Sequence, residues 1–283
     1  MSQDFTITVI TGATCSGKTK LAIDLAKKNN GEIICADSRS VYKNLDIVSA
    51  KPTIDEMEGI KHHLLDIVEP SEDFSAGDFV KYAKDVLKEI KDRGKNVIIA
   101  GGTWFYIKSL LDEKELPKVG INKELREKLS TKSNDELWQI LFALDPTRAN
   151  QIHKNNKDKV IRSIEMCKGL NMPISQYQRE QKEPLCANWY MPKIEREELY
   201  NRINKRVDVM IQQGLFEEWQ KNKELYPNSK ILENTIGYRE FFELERGTWQ
   251  DFSQAVEKIK QRTRNFAKRQ LTYFRSNPDI KEI

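Results

Sequence analysis

The stretch Ile7-Thr8-Val9-Ile10-Thr11-Gly12-Ala13-Thr14-Cys15-Ser16-Gly17-Lys18-Thr19 (ITVITGATCSGKT) decides the fold. Its first four residues are all β-branched and read as a short buried strand. Residues 12–19 then match G-x-x-x-x-G-K-[ST] at every defined position. In such a loop the backbone N–H groups form a nest and the following helix presents its positive end, so phosphate oxygens bind without special side chains. Lys18 adds a full charge, and the Thr19 hydroxyl is the expected Mg²⁺ ligand. Gly12, Ala13, Thr14, Cys15, Ser16, Gly17, Lys18 and Thr19 are therefore expected to hold phosphates. The loop recognises only a chain of phosphates; what carries them must be read from the rest of the sequence.

Working outward, residues 18–28 place Leu21, Ala22, Leu25 and Ala26 at helical spacing. Residues 32–36 (EIICA), 63–68 (HLLDIV) and 97–100 (VIIA) are the next strand candidates. Between the last two, residues 79–93 set Phe79, Tyr82, Ala83, Val86, Leu87 and Ile90 on one helical face, and Gly94 stops the helix. Strands separated by helices of this length pair in parallel through right-handed crossovers, and ligands gather at the carboxyl ends of such strands. The turns after residues 10, 36 and 100 thus open at one edge. Strand signals vanish from about 115 to 181, where helical pieces 122–129, 134–142 and 157–168 follow in series. Residues 187–191 (ANWYM) read as a return strand, and 195–213 and 256–274 as long amphipathic helices. The expected fold is α/β, a P-loop NTPase-like parallel sheet flanked by helices, with an all-helical insertion domain. Residues 1–114 and 187–283 form the core, and 115–186 the insertion.

Composition bounds the setting. Charged residues make up 32% of the 283 and hydrophobic residues 39%, without an apolar run of membrane-spanning length. The N-terminal residues enter a strand pattern directly, which argues against a signal peptide. Cys15, Cys35, Cys167 and Cys186 show no metal or disulfide spacing, so a reducing cytoplasm is expected. The net charge is only +4, but from Lys258 to Arg275 there is no acidic residue. That polarised segment favours a polyanionic partner.

Several residues are candidates for chemistry. Asp37 and Ser38 follow a buried strand, and the carboxylate there can ligate Mg²⁺, act as a general base or cap a turn. His62 and His63 lack ligand-spaced Cys or carboxylate partners and read as structural. Arg196, Arg202 and Arg206 share one helix, where one or two of them can clamp phosphate. On the last helix Lys258, Arg262 and Arg269 flank one side of the apolar stripe, and Lys260, Arg264 and Lys268 the other.

Taken in order, these motifs resemble the tRNA dimethylallyltransferases (tRNA isopentenyltransferases). GATCSGKT is similar to that family's GPTASGKT, residues 37–42 (DSRSVY) to DSMQVY, and 49–52 (SAKP) to TAKP. Residues 62–66 (HHLLD) resemble HHLID, 74–79 (FSAGDF) resemble YSAADF, and Gly101-Gly102-Thr103 the opening of GGTGLY. Leu144-Asp145-Pro146, Ile152-His153, Ile236-Gly237-Tyr238, Thr263-Arg264 and residues 267–270 (AKRQ) complete the series.

The resemblance implies that the loop, with Arg206, holds the diphosphate of dimethylallyl diphosphate, with Mg²⁺ as cofactor. The prenyl group then passes to the exocyclic amine of the adenine 3′ to the anticodon. It also implies Asp37 as catalytic base, with Thr103 and Lys18 as further catalytic residues. Asp37, Ser38, Arg39, Ser40, Thr103, Lys159, Arg162, Lys260, Arg264 and Lys268 are the implied contacts to the tRNA anticodon stem-loop, in a cytoplasmic monomer. Four departures from the pattern matter, the mildest being Ala13 in place of the family's proline. Ser40 replaces a glutamine that touches the target base, Trp104 replaces a glycine beside the reaction pocket unless it turns into the core, and Asp158 stands in a stretch that otherwise reads QR-x-x-R. The alternatives are an adenylate-type isopentenyltransferase acting on a free nucleotide, a P-loop kinase using ATP, and an RNA-binding protein without catalysis.

Overall fold

Val9, Ile10, Ile33, Ile34, Val97, Ile98 and Ile99 are all buried, because the strands that carry them are covered on both faces. In the computed structural model, which describes residues 5–112, 117, 119–177 and 183–283, six parallel strands form one sheet in the order β3-β2-β4-β1-β5-β6. They are β1 Ile7–Ile10, β2 Gly31–Cys35, β3 His62–His63, β4 Asn96–Ala100, β5 Asn188–Met191 and β6 Ile280–Glu282. Side chains alternate between the two faces. Val9, Ile34, Val97 and Ile99 pack with Phe79, Ala83 and Ile90 of helix Ala76–Asp92 and with Ile107 and Leu110 of helix Trp104–Leu111. Ile10, Ile33, Cys35 and Ile98 pack with Ala22, Ile23 and Ala26 of helix Lys18–Lys28.

Two local expectations need correction. The strand expected over 63–68 is only His62–His63, because Leu64 (φ 64°) and Asp66 (φ 56°) take left-handed conformations that no strand accommodates. Val68 regains one parallel bridge, to Tyr42. Tyr82, expected on the buried face of its helix, is 47% exposed, with its ring 6.0 Å from that of Phe74. Ser75 and Asp78 close a capping box that starts this helix at Ala76, three residues before the apolar face begins.

The chain divides into two compact units, Met1–Asp112 with Pro184–Ile283, and Glu113–Glu183. The boundary expected between 114 and 115 lies outside the described residues, and the return expected at 187 compares with Pro184. In the first unit, helices Leu215–Leu225, Lys230–Asn234 and Arg239–Glu245 gather Trp219, Phe216 and Phe241 into an aromatic cluster. The second unit is helical among its described residues and packs around Leu129, Leu137, Leu141, Val160 and Ile164. No helix of the described residues is long and apolar enough to cross a membrane.

Candidate active site

The phosphate loop leaves β1 and returns through Gly17, whose φ of 96° favours glycine and which caps helix Lys18–Lys28. Three strand ends close around it: the Thr11 N–H donates to Tyr190 O, Gly101 N–H to Ile10 O, and Ala36 N–H to Ala100 O. The Lys18 ammonium donates to Ala13 O at 2.6 Å. Burial pushes its pKa down to about 8, against the upward pull of the Asp37 carboxylate and with a further push from Arg206. On the far side, Gln270 of helix Phe252–Phe274 bridges the loop and the turn after β4 with the two ends of its amide. Its Oε1 accepts from Thr14 N–H at 2.8 Å, and its Nε2 donates to Gly102 O at 3.0 Å. A Cβ on Gly102 would collide with that amide, and one on Gly101 with the Ala36 backbone, which accounts for the paired glycines after β4.

Asp37 follows β2 and turns the chain. Its Oδ1 accepts from the N–H groups of Arg39 (2.8 Å) and Ser40 (3.2 Å). The turn-capping role is therefore real and occupies one carboxylate oxygen; no described group donates to Oδ2. Thr103 N–H donates to Ala36 O, and its Oγ1 accepts from Ser38 N–H at 3.1 Å, so Thr103 braces the turn from behind. Two cavities meet at this point. One, of about 330 Å³, is lined by Thr14, Cys15, Gly17, Lys18, Thr19, Ser40, Arg202 and Arg206, with apolar walls from Ala22, Ile33, Pro52, Leu65 and Ala100. The other, of about 500 Å³, is lined by Ser38, Arg39, Arg239, Arg262, Thr263, Phe266 and Arg269, with Ile203, Val207 and Met210. Thr14, Cys15, Asp37, Ser49, Ala50 and Arg206 line both. Gly12, Ala13 and Ser16 are buried beneath the loop surface and supply backbone.

The basic residues divide by partner. Arg206 donates to Cys15 Sγ at 3.5 Å and faces both cavities, whereas Arg196 instead contacts Tyr200. Lys260 is bound at 2.8 Å to both Asp208 and Glu257, so its charge is balanced within the chain. Arg264 donates to Asn204 Oδ1, and Lys268 is exposed. In the helical unit Lys159 is exposed, while Arg162 pairs with buried Glu165 and donates to Val119 O at 2.8 Å. His63 Nε2 lies 2.6 Å from the buried carboxylate of Glu32, which also binds Arg93 and Lys95. Trp104 turns away from both cavities and packs on Trp189 and Phe274 at 5.7 and 5.9 Å. Ser40 is 6% exposed and lines the loop-side cavity, while its neighbours Ser38 and Arg39 line the other.

Thr19 and Asp37 bring a hydroxyl and a carboxylate to the loop-side cavity. The Thr19 hydroxyl is a hard oxygen donor of the kind that could hold Mg²⁺ beside bound phosphate. Three further residues build the site, none given a role from the sequence, although Gln270 and Lys51 stand in the AKRQ and SAKP motifs. Gln270 is one, and its signal was a polar residue on the buried stripe Ala267–Phe274. Glu218 accepts from the N–H groups of Asp46, Ile47 and Val48 at 2.9, 2.7 and 3.0 Å and from Tyr238 Oη at 2.7 Å. Lys51 donates to Tyr42 O at 2.7 Å and pairs with Asp46 and Asp66. Together Glu218 and Lys51 pin residues 46–51, whose Ser49 and Ala50 wall both cavities.

Relatives share this architecture. The chain is similar to a tRNA dimethylallyltransferase of Acetivibrio thermocellus, with 46% identity over 97% of this chain and 90% of the relative. Its similarity to the corresponding protein of Enterococcus faecalis is 44%, over 95% and 88%. Among solved structures, the tRNA isopentenylpyrophosphate transferase of Bacillus halodurans superposes with a TM-score of 0.73 at 34% identity, over 98% of this chain and 89% of that one. A eukaryotic dimethylallyltransferase acting on tRNA gives 0.81 at 30% identity, over 95% and 70%. The sequence model of the IPP transferase family matches residues 40–277. With that match and these identities, the chain belongs to the IPP transferase family.

Proposed function

We propose that this chain transfers the dimethylallyl group of dimethylallyl diphosphate to the exocyclic amine of the adenine 3′-adjacent to a tRNA anticodon, releasing diphosphate. The observation that carries this reading is the position of Asp37 where the two cavities meet. On one side lie a phosphate loop and apolar walls sized for a short prenyl chain; on the other lies a larger cavity ringed with arginines. The relatives' names, which specify tRNA as the substrate, support the same choice of acceptor.

In this reading the loop N–H groups, Lys18 and Arg206 hold the diphosphate and stabilise the charge that grows on it as the allylic C–O bond breaks. Thr19 would hold Mg²⁺ at the diphosphate, where the ion would supply further neutralisation of that charge. The adenine amine forms the new C–N bond and gives its proton to Asp37, whose Oδ1 stays engaged in the turn. The adenine must leave the anticodon-loop stack to reach Asp37, which costs a few kcal/mol. Arg39, Arg269, Arg264, Lys268 and, on the helical unit, Lys159 contact RNA phosphates. Thr103 acts by bracing Ser38. The enzyme works as a cytoplasmic monomer.

The test is transfer from radiolabelled dimethylallyl diphosphate to total tRNA, run beside AMP as acceptor and beside ATP hydrolysis. Label in tRNA supports the reading. Label in AMP, or ATP turnover without prenyl transfer, overturns it.

A further inference from the structure

We propose that Gln270 is the positioning residue of the phosphate loop, fixing from the C-terminal helix which loop N–H groups remain for the diphosphate. This rests on the reading of the loop as the diphosphate site. Gln270 is 6% exposed, on a helix whose neighbouring side chains Phe274 and Ala267 are fully buried and apolar. A polar amide in such a place persists only if both of its ends are satisfied. Here both partners are backbone groups of the active site: Thr14 N–H in the loop and Gly102 O in the turn after β4.

Two consequences follow. The N–H of Thr14 is spent on Gln270 and that of Ser16 on Ala13 O, so the phosphate-facing nest is drawn from the remaining N–H groups of Cys15, Gly17, Lys18 and Thr19. Gln270 also adds a side-chain bridge between Thr14 and Gly102 to the bonds that already join the base of the loop to Gly101, and Gly102 has no room for a Cβ beneath the amide. The same helix presents Arg262, Thr263, Phe266 and Arg269 to the second cavity. One rigid element therefore carries the wall of the acceptor-side cavity and the brace of the donor loop.

The experiment measures binding of inorganic diphosphate with Mg²⁺ by calorimetry, and of tRNA by filter retention, for the full chain and two variants. Gln270→Glu keeps the size and the acceptor for Thr14 but replaces the donor to Gly102 O with negative charge. Gln270→Met keeps approximate volume and loses both bonds. Both are expected to bind diphosphate about tenfold more weakly, the scale of one lost buried hydrogen bond, with tRNA affinity within about twofold of wild type. Lowering the pH should restore diphosphate binding in Gln270→Glu relative to Gln270→Met, because the protonated acid again donates to Gly102 O. A purely structural role would not produce that rescue. If a variant does not fold, Gly102→Ala, which displaces the amide from the other side, is read in the same way. Wild-type diphosphate affinity in the folded variants, or a parallel loss of tRNA affinity, overturns the proposal. Failure of the wild-type chain to bind diphosphate would instead overturn the reading of the loop.

Discussion

Replacing Asp37 by asparagine separates the two jobs of its carboxylate. Oδ1 accepts from the N–H groups of Arg39 and Ser40, and an asparagine carbonyl can accept both in the same geometry, as weaker, uncharged bonds. The turn therefore survives, and the thermal midpoint should change little. The asparagine cannot accept a proton from the adenine amine, so the chemical step should slow by roughly 10²–10⁴-fold, the usual loss with a general base. Asp37→Ala removes the turn bonds as well. It should cost about 1–2 kcal/mol of stability, comparable to losing a helix cap, in addition to the same kinetic defect. Single-turnover transfer, with enzyme in excess over tRNA and donor saturating, isolates the chemical step from product release. Diphosphate affinity should stay within a few-fold in Asp37→Asn, since loop and Lys18 contacts are untouched. A single-turnover rate within threefold of wild type would remove Asp37 from proton transfer and leave it a turn residue only.

Other consequences can be checked independently. Lys18 is charged below about pH 8 and neutral above it, so diphosphate affinity should fall as the pH rises through that value; Lys18→Arg, charged throughout, should flatten the profile, and an unchanged slope would contradict this. Lys268→Gln should reduce the slope of log tRNA affinity against log salt by about 0.7–0.9, whereas Lys260→Gln, whose charge Asp208 and Glu257 already balance, should leave the slope nearly unchanged. Burial favours protonation of Glu32, but Arg93, Lys95 and His63 outweigh it and hold the carboxyl down to about 2. The stability that Glu32 contributes is thus present above its ordinary value near 4.5 and lost as the pH falls toward 2; in urea titrations the gap between wild type and Glu32→Gln should close over that window, and a constant gap would refute the assignment.

The parts of the site legible in the sequence are those made by neighbours along the chain. A strand, a glycine loop and a helix start lie within residues 7–19, and their chemistry is local, so the phosphate loop could be read directly. The turns after β2 and β4 were legible for the same reason. The contacts that local pattern does not show are held from far away along the chain. Gln270 lies 256 residues from Thr14, and Glu218 lies 170 to 172 from the N–H groups it caps, so no periodicity could announce either pairing. The strand over 63–68 was misjudged because apolar alternation cannot reveal the left-handed backbone of Leu64 and Asp66. Charge patterning on the last helix placed Lys260 with Lys268, but could not show that Asp208, on helix Arg196–Gln212, holds the first and leaves the second exposed. Trp104 shows a similar limit: the sequence leaves open whether this bulky residue beside Gly101-Gly102-Thr103 lines the pocket or turns into the core, and its packing on Trp189 and Phe274 decides for the core.

The central claim is that the loop delivers a prenyl group across Asp37 to an RNA base. The most direct measurement is to react labelled dimethylallyl diphosphate with unmodified tRNA, digest the RNA to nucleosides and locate the label, while counting the diphosphate released. One diphosphate per labelled adenosine is expected, with the label at the position 3′ to the anticodon and none after Asp37→Asn on the same timescale. Diphosphate released without label in the RNA, or label at a base outside the anticodon loop, would contradict it.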